Sequence, residues 1–164
     1  MQLDLAAQWP QILDYVDRAM KANMHVAVGT VSPDGEPTVT PIGSLVLNSD
    51  PSGLFLERFP RRLGANAEQN KNCCILVENT SLWGMLRTFR RHGHIGLKLY
   101  GQFGERRPAT AAEIARVNAR LPFHTAKMAR MLLGEAPQVR DVAITRAEAI
   151  GFKLDRAAGT ITAM

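Results

Sequence analysis

The chain has 164 residues, 46% apolar and 21% charged, which suits one domain, residues 1–164, that buries its core without disulfide or metal support. No apolar run of about eighteen residues is present, which excludes a spanning helix. The start MQLDLAAQWPQ carries an acid and no basic stretch, so no secretory signal is expected. The two cysteines, Cys73 and Cys74, are adjacent and would point to opposite faces of a strand. A disulfide framework is therefore not expected, and a cytoplasmic location is.

The net charge is +5, and Arg87, Arg90, Arg91, Lys98, Arg106 and Arg107 against Glu105 account for the whole excess. Such a segment suits an anionic ligand, nucleic acid, the edge of a cofactor, or a solvated loop.

In chain order, Trp9, Ile12, Leu13, Val16 and Met20 predict an amphipathic helix from Pro10 to Ala22, with Pro10 in its first turn. Trp9 reads as a core or interface anchor. From His25 the period shortens to that of a strand through Val31. Ser32-Pro33-Asp34-Gly35 is a turn, and Thr38-Val39-Thr40 returns as the second arm of a hairpin. Ile42 to Leu47 continues as strand, Asn48 to Gly53 turns, and Leu54 to Glu57 is the next strand. Closely joined short strands predict an antiparallel barrel or sandwich.

Arg58 to Arg62 then forms a basic turn, followed by a short helix through Asn66 to Asn70 and a strand from Cys73 to Val77. Backbone N–H groups at a helix start, joined by guanidinium forks, make a phosphate site. Farther on, Ile95 to Phe103 alternates as a strand, with Leu97 and Leu99 on one face and Lys98 and Tyr100 on the other. Thr110-Ala111-Ala112-Glu113 is a capping box that opens a helix ending near Pro122. A second helix runs from Phe123 to Leu133. Two closing strands are predicted at Val142 to Thr145 and Ala149 to Leu154, with a further strand at Thr160 to Thr162.

The sequence holds no nucleotide-binding glycine loop, no serine-nucleophile elbow and no zinc spacing, so no metal site is predicted. His92 and His94 lack a nearby third ligand. Met128 and Met131 read as core. One buried and one half-exposed thiol is the expectation for Cys73 and Cys74.

The order helix, Asp-Gly hairpin, Thr40-Pro41-Ile42-Gly43 strand, hairpin, basic turn, helix, strand over Val26 to Val77 resembles the pyridoxamine 5′-phosphate oxidase-like FMN-binding split-barrel family. That resemblance implies a mainly β fold: a six-stranded antiparallel split β-barrel with an N-terminal helix, a short helix after the phosphate turn and a helical pair near 110–133. It implies a homodimer with FMN held between subunits. By position Arg62 matches a phosphate-binding arginine, Arg61 falls where serine is usual, and Leu63 falls where lysine is usual. Arg58 or Arg61 would then supply the second cation. Asn66 matches a polar residue at the helix start. Thr40, Pro41, Ile42 and Gly43 match the strand beside the flavin ring, and Glu57 and Arg58 its polar edge. Trp83 reads as core packing or as a partner-subunit cap on the flavin. The family's closing tryptophan-and-arginine segment is absent, so pyridoxamine phosphate oxidation is not predicted.

The resulting expectation is an FMN-dependent oxidoreductase acting on a small molecule, with no nucleic-acid or membrane partner. Two alternatives stand beside it. One is a binding protein without turnover that holds flavin, deazaflavin or haem, the last through His92 or His94. The other is a nucleic-acid binder, against which the basic segment offers little aromatic interleaving.

Overall fold

The computed structural model of the protein describes residues 2–57, 61–79, 94–120, 137–155 and 160–163. Helices α1 (Leu5–Asn23), α2 (Arg61–Gln69) and α3 (Ala111–Arg120) accompany strands β1 (Gln2–Leu3), β2 (Val26–Val31), β3 (Pro37–Ile42), β4 (Val46–Leu47), β5 (Ser52–Leu56), β6 (Asn72–Glu78), β7 (His94–Pro108), β8 (Gln138–Asp155) and β9 (Thr160–Ala163). The predicted helix 123–133 lies outside the described residues. None of the described helices is long and apolar enough to cross a membrane.

Every strand pair is antiparallel, in the order β3-β2-β6-β7-β8-β5-β4, with β1 and β9 also paired to β8. The resemblance implies six strands in a split barrel, and the sheet departs from that count. Among the described residues there are more strands, and the path stays open between β3 and β4. The short strands β1, β4 and β9 account for the excess.

α1 begins five residues earlier than the sequence pattern predicts. Asp4 caps it, its carboxylate accepting from the N–H groups of Ala6 at 2.9 Å and Ala7 at 3.2 Å. Pro10 therefore lies in the second turn, on the exposed side. The helix ends at Met24, which takes the left-handed conformation at φ 63° and donates to Met20 O at 2.8 Å. Trp9, Ile12, Val16, Ala19 and Met20 are buried on one stripe, joining β2, β6 and β7 residues in the main core. Trp9 is a core anchor, and its indole N–H donates to Asn48 O at 3.1 Å.

The hairpin forms as read. Gly35 sits at φ 87°, where a side chain would be strained, and Ser32 N–H donates to Glu36 O at 2.9 Å to close the turn. Thr38 and Thr40 lie half-buried and Ile42 fully buried, while Pro37, Val39 and Pro41 face outward.

β7 and β8 are long strands, and irregularities at His94/Gly96, Tyr100/Gly101 and Phe103/Arg106 bend them. The central one explains why the sequence reads β8 as two strands. Tyr100 pairs with Arg146 and Gly101 with Ile144, so Thr145 is the extra residue. Inward positions run Val142, Ile144, then Ala147, Ala149, and the period of two breaks at that point. Gly101 is required there, because a Cβ would lie 2.3 Å from Ala143 O.

α3 opens on the predicted capping box: Glu113 N–H donates to Thr110 Oγ1 at 3.2 Å, and Thr110 N–H to Glu113 Oε2 at 2.8 Å. Arg107 adds bonds to both Glu113 oxygens and both Asp141 oxygens, tying α3 to β7 and β8. Its hydrogen bonds, followed by those from Thr110, hold the Glu113 carboxyl at about 2, below the ordinary 4.5. A depressed folded-state value means that the contribution is complete above about pH 4.5 and lost as pH falls through about 2. Glu113→Gln keeps the box and removes the charge. It should lower stability at pH 7 by up to about 1 kcal/mol, measured by urea unfolding, and the difference from wild type should vanish near pH 2.

Candidate functional site

α2 starts at Arg61, so Arg61 and Arg62 are its first residues rather than part of a preceding turn. Arginine, leucine and alanine favour helix, but Gly64 in their midst delays the start expected from propensity. The structure accounts for that glycine. A Cβ on Gly64 would lie 2.6 Å from Glu57 Oε1, so a side chain there would have to displace the Glu57 carboxylate from its place against α2.

Beneath this contact lies a buried ion cluster. Glu57 is 7% exposed and Arg140 of β8 1%. The Arg140 guanidinium donates through Nε and Nη2 to the two Glu57 oxygens, through Nη2 to Glu68 Oε1 at 2.7 Å, and through Nη1 to Gly104 O at 3.0 Å. Burial works against its charge, but the bonds to Glu57 and Glu68 outweigh it, so the Arg140 pKa lies above the ordinary value. Glu68 is held below its ordinary value by the same hydrogen bond and charge. One cation thus joins β5, α2, β7 and β8. Arg140 is the residue that the sequence reading missed. Its one local sign is a charge standing between the buried Val139 and Val142.

Successive helical residues diverge by about 100°, which sorts the predicted site residues onto two flanks of α2. Arg62 and Asn66, four apart, share one flank. Asn66 is buried and its side-chain amide donates to Thr30 Oγ1 at 3.0 Å and Thr38 Oγ1 at 3.1 Å, while the two hydroxyls bond each other at 2.8 Å. This network fixes α2 against the β2–β3 hairpin. Thr40 follows Thr38 on the same strand face, with Pro41 and Gly43 exposed nearby in sequence and Ile42 in the core.

The other flank carries Arg61, Gly64, Ala65 and Glu68, which with Glu57, Arg106 and Arg140 line a cleft of about 360 Å³. Glu57 therefore faces this cleft, engaged by Arg140. Gly43 instead borders a separate hollow of about 410 Å³ with Asp17, Met20, Lys21, Met24, Ala119 and Arg120. Leu63, at the position matched to a lysine, is fully buried core. Arg58, Trp83, His92 and residues 87–93 of the basic segment lie outside the described residues. The described cations of that segment disperse: Lys98 lies on the outer sheet face, Arg106 on the cleft, and Arg107 in its carboxylate network.

Cys73 is buried and Cys74 half-buried, as expected. Burial pushes the Cys73 thiol up to about 12, so it stays protonated at neutral pH and is a poor redox nucleophile. Among the described residues no group of three or more His, Cys, Asp or Glu side chains is placed to hold a metal.

No protein-family model matches the sequence, and no curated protein matches it significantly. Solved structures do share the fold. An FMN-binding protein from Syntrophomonas wolfei is 15% identical with a TM-score of 0.55, covering 87% of this chain and 93% of that one. A proposed pyridoxamine 5′-phosphate oxidase from Lactobacillus delbrueckii is 17% identical at 0.53, covering 82% and 90%. HutZ, a haem storage protein from Vibrio cholerae, is 16% identical at 0.55, covering 85% and 83%. The sequence resemblance to the pyridoxamine 5′-phosphate oxidase-like split barrel therefore extends to the fold.

The buried cluster yields a stability test. Arg140→Met leaves Glu57 buried without its cation and should cost about 3–5 kcal/mol in urea unfolding. Adding Glu57→Leu should recover most of that loss. A loss under about 1 kcal/mol for the single variant would show that Arg140 does not hold these elements together.

Proposed function

We propose that the protein is a homodimeric FMN-binding flavoprotein, an oxidoreductase of the pyridoxamine 5′-phosphate oxidase-like kind acting on a small molecule in the cytoplasm, with its flavin on the Arg62–Asn66 flank of α2. The observation that carries this reading is the placement of Arg62. It is exposed in the first turn of α2, without an ion-pair partner among the described residues, on the flank that Asn66 locks to the strand bearing Thr40 and Pro41. A guanidinium beside the N–H groups of a helix start suits a phosphate monoester.

FMN, when bound, supplies the hydride and electron chemistry. The chain's part is to hold and orient. Arg62 and the start of α2 take the phosphate, and the Asn66–Thr30–Thr38 network keeps that helix at a fixed distance from β3. Thr40 and Pro41 would then flank the ring. The buried Leu63 offers no second cation, so phosphate recognition on this flank rests on Arg62 and backbone donors. The shared fold of an FMN-binding protein supports the cofactor assignment.

In this reading β2, β3, β5, β6, β7 and β8 are the six strands of the split barrel. The second subunit covers the outer face of β3, where Val39 is 72% exposed between Pro37 and Pro41. The two prolines lack N–H donors, which disfavours strand addition at this edge and favours packing by the face.

Two measurements test the reading. Arg62→Ala should weaken FMN binding by about 1–3 kcal/mol, roughly fivefold to more than a hundredfold in Kd by fluorescence titration; an unchanged Kd would remove Arg62 from the site. Val39→Glu should shift the protein to monomer in sedimentation velocity at micromolar concentration, whereas an unaltered dimer would place the interface elsewhere.

A further inference from the structure

We infer that the cleft on the opposite flank of α2 is a second anion subsite, one that takes the phosphate or carboxylate group of a small molecule through Arg61 and Arg106. The cleft is built from separate elements: Arg61 from α2, Arg106 from β7, Arg140 from β8 and Glu57 at the end of β5. Three cations against the carboxylates of Glu57 and Glu68 leave it with a net charge of +1.

The arrangement of these charges matters more than their sum. Glu57 forms the floor, and an isolated carboxylate there would repel an incoming anion. Arg140, itself 1% exposed, neutralises it with bonds to both oxygens, and also engages Glu68 at the rim. The charge of the buried cluster is thereby directed inward. Arg61 is exposed with no ion-pair partner among the described residues, and Arg106, 53% exposed, has only a 3.9 Å approach to Glu57 Oε1. These two guanidinium groups line the cleft from different elements, α2 and β7, and remain available for a ligand. Arginine forks match the two oxygens of a carboxylate or phosphate. Gly64 leaves the floor clear, since any side chain there would reach Glu57 Oε1. A volume of about 360 Å³ accommodates a small metabolite rather than a macromolecular segment.

The inference does not depend on the flavin assignment, because Arg62 and Arg61 serve different flanks. The test is thermal unfolding of FMN-saturated protein in inorganic phosphate against chloride at equal ionic strength. At ten times Kd, phosphate should favour the folded state about elevenfold. Arg106→Gln and Arg61→Gln should abolish that response, and Arg62→Gln should retain it. Arg106 is exposed, so its replacement leaves the core intact. Equal stability in the two salts, or a response lost in Arg62→Gln and kept in Arg106→Gln, would overturn the subsite. If the protein takes up no FMN, the same comparison without cofactor still decides it: loss in both Arg106→Gln and Arg61→Gln supports the subsite while the flavin reading fails separately, and a response kept in either overturns it.

Discussion

A single buried guanidinium organises the region around α2. Arg140 reaches the end of β5 through Glu57, α2 through Glu68 and β7 through the Gly104 carbonyl, while itself belonging to β8. A charge so enclosed is tolerated only when its donors are matched, and a lost partner leaves the remaining charge stranded. The position of α2 follows from this constraint together with Gly64, which permits the close approach. The second attachment of α2, from Asn66 to Thr30 and Thr38, fixes its other side.

α2 consequently acts as a divider. Adjacent arginines that read as one basic turn are sent to different places by helical geometry alone. Arg62 goes with the hairpin, Thr40 and Pro41; Arg61 goes with the charged cleft. Under the proposed function, this separation would let one short helix serve a cofactor phosphate on one flank and a smaller anion on the other. An oxidoreductase of this build would hold cofactor and substrate charges with neighbouring residues of the same turn.

Much of the fold was legible because it is local. The Pro33-Asp34-Gly35 turn, the Thr110–Glu113 capping box and the alternation of Leu97, Lys98, Leu99 and Tyr100 each announce themselves within a few residues. The misread elements have non-local causes. The start of α2 was obscured by Gly64, whose reason lies at Glu57 across the cleft. β8 read as two strands because the irregularity opposite Gly101 shifts its inward face by one residue. The Glu57–Arg140 pair is separated by 83 residues, and no local pattern signals it. Of the residues proposed from sequence, Arg62, Asn66 and Thr40 gather about one flank of α2, whereas Glu57, Arg61 and Gly43 do not.

The most direct test of the account is the visible absorption spectrum of protein purified without added cofactor, repeated on the supernatant after heat denaturation. The account predicts a flavin spectrum that is released intact by heating, since FMN would be held by phosphate and ring contacts rather than by a covalent bond. A Soret-type band, or a protein that remains colourless after FMN is added, would contradict it.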